Sequence, residues 1–256
     1  MHTDTVSHAN RTTAYRRGGG EDGPIVCYVH GAGGSHEIWT EQCSNPDTPP
    51  AVAVDLSGHG ESDDVSTAPG RETLDAYADD VAAVCAETGA TVLCGNSMGG
   101  AVAMWAVLEG DLEVDALVLA DTGAKLSVDS AFLDGLETDF EAAVDSLHAP
   151  GTLFYEPTDR LVESSKRSLE ETGQAVTLRD FRTCDAFDLR DRVAELTSPT
   201  LAVCGEHDPM TPPAFHEYLA AELPDCVFRE IPDAAHLPML ERPAAFDGAV
   251  RSFLDR

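Results

Sequence analysis

The sequence predicts an α/β fold: a mostly parallel sheet flanked by helices, with a helical segment inserted between two of its strands. Three observations carry this reading. Short, almost uninterrupted apolar runs recur along the 256 residues, as expected of strands covered on both faces. Helical patterns separate them, and strand alternating with helix implies parallel pairing. From Lys125 to Leu196, however, no convincing strand occurs, and that interval is too long for a simple crossover.

The elements follow in order. The first 20 residues suggest an edge strand or hairpin around Thr12–Arg16, with a frayed start. Six apolar runs then read as buried strands: Ile25–Val29, Ala51–Val54, Thr91–Cys94, Ala116–Ala120, Thr200–Cys204 and Val227–Ile231. The clearest helix spans 72–88, with Leu74, Tyr77, Ala78, Val81, Val84 and Cys85 on one stripe. Residues 97–110, 213–223 and 241–255 are further helical candidates. Within the strandless interval, helical patterns are punctuated by Pro150-Gly151, Pro157 and Gly173. The expected division is therefore a core of residues 1–124 and 197–256 with a helical cap, 125–196, inserted between them.

Composition bounds the function. No stretch approaches the ~20 apolar residues of a membrane span, and Met1–Gly20 is polar, unlike a signal peptide. Seven scattered cysteines without a Cys-x-x-Cys pair argue against a disulfide frame or a zinc site. They point to a reduced, cytoplasmic protein. Forty-six acids face sixteen bases, two of them lysines, giving a formal charge of −30. That excludes the basic face that nucleic acid needs. The acids are spread along the chain, and their repulsion destabilises a compact state unless salt screens it. The composition resembles that of proteins from salt-accumulating halophiles. Neither a phosphate-binding nor a dinucleotide-binding glycine motif occurs, and His and Asp show no metal spacing. No cofactor and no metal are expected.

The chemistry centres on Gly95-Asn96-Ser97-Met98-Gly99. An apolar run enters this Gly-x-Ser-x-Gly turn and a small-residue helical pattern leaves it, the context in which a serine becomes a nucleophile. Four more motifs stand in sequence around it: His30-Gly31-Ala32-Gly33-Gly34, Asp55-Leu56-Ser57-Gly58-His59-Gly60-Glu61-Ser62, Gly205-Glu206-His207-Asp208 and Ala235-His236-Leu237-Pro238.

Together these motifs resemble the α/β-hydrolases with a helical cap, over about Tyr15 to Leu254. The resemblance implies Ser97 as nucleophile, His236 as its base and Asp208 as the acid that orients the base, since the family order is Ser, acid, His. His216 lies downstream too, but inside the helical candidate 213–223. Glu206 and Asp121 are rival acids, Asp121 because some members of the fold place the acid after that strand. The resemblance further implies oxyanion donors at the amides of Ala32 and Met98, with Gly33 as alternate. It leaves His30, His59, Asp55, Asp233 and Trp39 as structural residues. A serine at the elbow, where haloalkane dehalogenases and epoxide hydrolases carry aspartate, limits likeness to those enzymes to the fold. Cys94 lies within the strand and not at the elbow.

The expected activity is hydrolysis of a small-molecule carboxylic ester. A lactonase or carbon–carbon bond hydrolase would share the same triad, and the fold also hosts silent binding proteins. Expected substrate contacts are Gly33, Phe132, Phe140 and Leu237. Leu136, Leu153, Phe154 and Tyr155 are further candidates for the cap's pocket wall or core. Arg160, Arg179 and Arg182 are available should the substrate carry a carboxylate. No membrane partner is expected, and the default state is a monomer or weak homodimer.

Overall fold

The computed structural model describes residues 3–256. Eight strands form one sheet: β1 (Thr3–His8), β2 (Arg11–Gly18), β3 (Val26–Val29), β4 (Ala51–Val54), β5 (Val92–Asn96), β6 (Ala116–Ala120), β7 (Thr200–Gly205) and β8 (Cys226–Ile231). Their order across the sheet is β1-β2-β4-β3-β5-β6-β7-β8. The hairpin β1–β2 is antiparallel and pairs antiparallel with β4, while every pair from β4 to β8 is parallel. Ala9 and Asn10 close the hairpin with φ of 44° and 62°, the two positive values of a tight turn matched to strand twist.

The apolar runs coincide with β3 to β8. Two expectations need correction. Part of the expected frayed start, residues 1–2, lies outside the described residues, and from Thr3 the chain is already in a strand. The run 227–231 is not a buried strand: β8 is the sheet edge, and Arg229 and Glu230 are exposed on it. An edge strand has one neighbour and tolerates charge, which also guards it against pairing with another chain.

The helices are α1 (Thr40–Ser44), α2 (Arg71–Thr88), α3 (Met98–Leu108), α4 (Ser130–Thr138), α5 (Phe140–Leu147), α6 (Asp159–Thr172), α7 (Gln174–Ala186), α8 (Pro213–Glu222), α9 (Pro238–Glu241) and α10 (Pro243–Leu254). On one face of the sheet, α2 and α3 bury Tyr77, Val81, Val84, Val102 and Met104 with Leu93 and Leu117. On the other, α10 brings Phe246 and Val250 together with Trp39, Tyr28, Val118 and Leu201. Trp39 is a packing residue, fully buried, with its ring 4.8 Å from Tyr28 and 6.0 Å from Phe246.

Helices α4 to α7 fill the interval between β6 and β7. Asp129, Asp139 and Thr158 cap α4, α5 and α6 through side-chain oxygens that accept first-turn amides. The bridge between Lys125 and Asp188, with backbone bonds from the Leu126 amide to Phe187 and from the Leu189 amide to Ala124, ties the two ends of this interval together.

The parallel strands all point one way, so the segments after β3, β5, β6, β7 and β8 gather at their carboxyl ends, where such sheets place their chemistry. Close backbone approach sets this edge. A methyl group on Gly99 would collide with the carbonyl oxygens of Val29 and His30, and one on Gly95 with the Gly99 carbonyl. Gly99→Ala should therefore lower unfolding stability by about 1–3 kcal/mol, the usual range for overpacking. Urea denaturation measures it, and an unchanged midpoint would contradict the close contact.

Candidate active site

Ser97 sits between β5 and α3 with φ 54° and ψ −116°. Few residues with a side chain adopt such a backbone, and the cost is of order 1–3 kcal/mol. The turn is held from both sides. The Ser97 amide donates to the Ala120 carbonyl at 2.9 Å, and the Thr122 hydroxyl donates to the Ser97 carbonyl at 2.8 Å. The glycines at 95 and 99 leave room for it. Ser97 thus remains partly accessible while its neighbours Asn96 and Met98 are buried.

His236 and Asp208 stand on the loops after β8 and β7. His236 Nδ1 lies 2.8 Å from Asp208 Oδ2. Asp208 accepts three further hydrogen bonds: Oδ2 from the Thr211 hydroxyl at 2.6 Å, and Oδ1 from the amides of Met210 and Thr211 at 2.8 and 3.2 Å. Burial pushes the Asp208 carboxyl up. The charge of His236 and these hydrogen bonds outweigh that and hold it at about 2. An ionised Asp208 assigns the proton to Nδ1 and leaves Nε2 free as a base. The His236 loop is fixed as well: its amide donates to the Leu153 carbonyl at 3.2 Å, and its carbonyl accepts from Asn96 Nδ2 at 3.2 Å.

The rival acids are placed differently. Glu206 faces His207. Asp121 is fully buried, its Oδ1 accepting the Gly205 amide at 2.9 Å and its Oδ2 without a partner. Burial, and then the charge of Asp208, raise its carboxyl well above the usual range. Asp121, Asp208 and His236 lie within 4.8 Å of one another, close enough for a metal group. Asp208 and His236 already bond each other, the arrangement of an acid–base pair.

The turn after β3 supplies backbone donors. The Gly34 amide donates to the Gly31 carbonyl at 3.1 Å, with Gly33 at φ 65°. His30 Nε2 accepts the Leu56 amide at 3.1 Å, so Nδ1 carries the proton and donates to the Gly31 carbonyl at 2.8 Å. Burial pulls the His30 imidazole down to about 3 and keeps it neutral. The Gly33 amide donates to Asp180 Oδ2 at 2.9 Å, so it is not available to an oxyanion. The amides of Ala32 and Met98 have no acceptor among the described residues.

Ser97 and His236 line two adjoining cavities. The larger, about 430 Å³, also holds Ala32, Gly33, Leu153, Arg160, Ser168 and Leu237. The smaller, about 340 Å³, is walled by Leu126, Val128, Phe132, Phe181 and Met210. Of the expected substrate contacts, Gly33 and Leu237 line the first and Phe132 the second, where its ring stands edge-on to Phe181 at 5.0 Å. Phe140 lines neither and packs against the core. Leu136 and Phe154 are buried, and Tyr155 stacks on His207 at 4.0 Å. Arg179 and Arg182 pair with Asp64 and Glu137. His216 is buried and accepts the Thr122 amide at 3.1 Å.

Sequence reasoning missed Thr211, Asn96 and Asp180. Thr211 had a signal, being three residues past the candidate acid in a Pro-rich turn. Asp180 had none, since its partners lie more than 100 positions away.

A group depressed on folding stabilises above its unfolded value and loses that contribution as pH falls through its folded value. For Asp208 the window runs from about 3.8 down to about 2. The stability difference between the wild type and Asp208→Asn should shrink as pH falls across that window. Denaturant titrations at stepped pH measure it, and a pH-independent difference would contradict an ionised, paired Asp208.

Residues 28–249 match the model of the alpha/beta hydrolase family. Over 99% of this chain and 97% of its own length, 3-oxoadipate enol-lactonase 2 of Acinetobacter baylyi is 26% identical. A pimeloyl-[acyl-carrier protein] methyl ester esterase of Neisseria meningitidis is 28% identical over 90% of this chain and 76% of its own. The solved structure of a thermophilic esterase superposes with a TM-score of 0.88 at 30% identity, covering 99% of this chain and 97% of that one. By the family match, and by the sheet and elbow already described, the chain belongs to the alpha/beta hydrolase family.

Proposed function

We propose that this protein hydrolyses small-molecule carboxylic esters through a Ser97–His236–Asp208 triad. The observation that carries the reading is convergence on one cavity. A strained, accessible serine, a histidine oriented by an ionised carboxylate and the turn that carries the unengaged Ala32 amide all border the same space.

In this mechanism His236 Nε2 takes the Ser97 proton as Oγ attacks the ester carbonyl. The tetrahedral oxyanion is received by the amides of Ala32 and Met98. Each such donor lowers the barrier by roughly 3 kcal/mol. His236 returns the proton to the leaving alcohol, and water then cleaves the acyl-enzyme by the same relay. Asp208 stays ionised throughout, stabilising the imidazolium.

The two cavities suit a substrate that bends over Ser97. One arm would lie among the apolar side chains of the smaller chamber and the other in the more polar, larger one. A lactone is the second reading, and one observation favours it. In a chain where acids outnumber bases 46 to 16, Arg160 lines the larger cavity without an ion pair or hydrogen bond among the described residues. An acidic lactone or ester would supply the missing partner. The enol-lactonase among the relatives is in keeping with that.

The formal charge of −30 supports operation at high salt, in a cytoplasm that accumulates it, with the enzyme a monomer or weak homodimer. At molar ionic strength the Debye length falls to about 3 Å and surface repulsion is quenched.

Two outcomes test these readings. Across p-nitrophenyl esters from acetate to decanoate, Ser97→Ala should lose about a thousandfold or more in kcat while keeping its melting temperature. Retained turnover would remove Ser97 from the nucleophile's role. The melting temperature should rise as KCl goes from about 0.1 M to molar levels, and a flat or falling value would contradict the salt requirement.

A further inference from the structure

We propose that Asp180, from helix α7, is a positioning residue for ester hydrolysis: it holds the Gly33 amide and thereby aims the Ala32 amide at the substrate carbonyl. The inference goes beyond the triad but rests on the reading of Ala32 as an oxyanion donor.

Asp180 is wholly buried, as are the two side chains that share it, His59 and Tyr77. Its Oδ2 accepts the Gly33 amide at 2.9 Å and lies 2.8 Å from His59 Nε2. Its Oδ1 accepts the Tyr77 hydroxyl at 2.6 Å. Arg179 Nη2 lies 3.1 Å from that same hydroxyl. Burial pushes the Asp180 carboxyl up, but the charge of His59 and these hydrogen bonds hold it below the usual range. A buried carboxylate is thus retained at the junction of the inserted helices, α2 and the turn after β3, although burying a charge is costly without full pairing.

The geometry of the turn gives that carboxylate a catalytic consequence. A trans peptide points its carbonyl and its N–H to opposite sides. The Gly31 carbonyl is held inward by His30 Nδ1 and the Gly34 amide, so the Ala32 N–H of that peptide is turned outward. Among the described residues, the next peptide, Ala32–Gly33, is fixed by Asp180 alone through its N–H. Release of that bond frees the Ala32 dihedral angles and lets the donor swing. The contact is also tight. A methyl group on Gly33 would strike Leu169 of α6 and Thr177 of α7, so the turn is seated directly beneath the inserted helices. On the other side, a methyl group on Gly31 would lie 3.4 Å from the Ser97 Cβ, so any shift of the turn is felt at the nucleophile.

A purely structural role predicts lost stability alone, whereas a positioning role predicts lost transition-state stabilisation. Asp180→Asn preserves shape but leaves one oxygen for three donors. Asp80→Asn serves as the comparison. Asp80 is equally buried and accepts Arg11, Thr13 and the Ser57 amide, but it does not touch the turn. The experiment measures melting temperature, kcat and KM for a p-nitrophenyl ester, and the rate at which a fluorophosphonate modifies Ser97. Phosphonylation places an oxygen in the same oxyanion site without depending on the natural substrate.

The expected result for Asp180→Asn is a kcat and a phosphonylation rate reduced together by about tenfold to a hundredfold, as a displaced group of this kind costs, with KM within about threefold. Asp80→Asn should lower the melting temperature and leave both rates near the wild type. If Asp180→Asn fails to fold, Gly33→Ala, which pushes the same turn from the helix side, carries the same expectation. The inference is overturned if folded Asp180→Asn reacts within twofold of the wild type, or if Asp80→Asn loses as much. A wild type that reacts with neither ester nor phosphonate overturns the hydrolase reading together with this one, whereas loss of the first criterion alone leaves the triad standing.

Discussion

The left-handed backbone at Ser97 is the constraint on which the rest of this site depends. A φ of 54° at a residue with a side chain is held only because its surroundings over-determine it. Gly95 and Gly99 supply the space, Ala120 takes the amide and Thr122 grips the carbonyl. Those contacts tie three neighbouring strands, β3, β5 and β6, to the elbow at their carboxyl ends. The same edge then receives the loops of β7 and β8, which carry Asp208 and His236. A serine pushed out of the turn, a histidine bordering the same cavities and a glycine-rich turn after β3 are successive consequences of one sheet geometry.

Buried carboxylates do most of the remaining positioning, and each is handled differently. Asp208 is kept ionised by four donors and so can orient an imidazole. Asp180 is kept ionised by His59, Tyr77 and the Gly33 amide and so can hold a turn. Asp55 accepts from the amide and ring nitrogen of His36 and from the Glu61 amide, and so joins the segment after β3 to the loop after β4. Asp121, with one donor, has its carboxyl pushed well up by burial and by the charge of Asp208. In a chain with a formal charge of −30, the surface acids repel one another while the buried Asp208, Asp180 and Asp55 each have their own donors. The two populations respond to different variables, the surface to salt and the interior to local hydrogen bonding.

Much of this was legible in the sequence, for local reasons. Continuous apolar runs mark strands buried on both faces, and β4 and β6 begin and end where the apolar composition does. The glycine spacing around Ser97 reports a steric demand that any such elbow makes. The expected positions of Ser97, Asp208 and His236, each just past a strand, follow from the same rule about carboxyl ends. What the sequence withheld is what long-range packing decides. The edge position of β8 follows from strand order, which composition does not encode. Phe140 and Phe132 look alike in the sequence, yet only Phe132 reaches a cavity wall. Whether the Gly33 amide is free or taken depends on a carboxylate 147 positions away, and no spacing motif spans that distance.

A nucleophilic Ser97 has to carry the acyl group covalently between the two half-reactions. Rapid acid quench of the enzyme with excess p-nitrophenyl acetate, followed by intact-mass and peptide analysis, reads that intermediate. The expected result is a stoichiometric acetyl adduct on the peptide that contains Ser97, formed with a burst of p-nitrophenolate equal to the enzyme. Steady hydrolysis with no burst and no adduct, or an adduct carried by another residue, would contradict it.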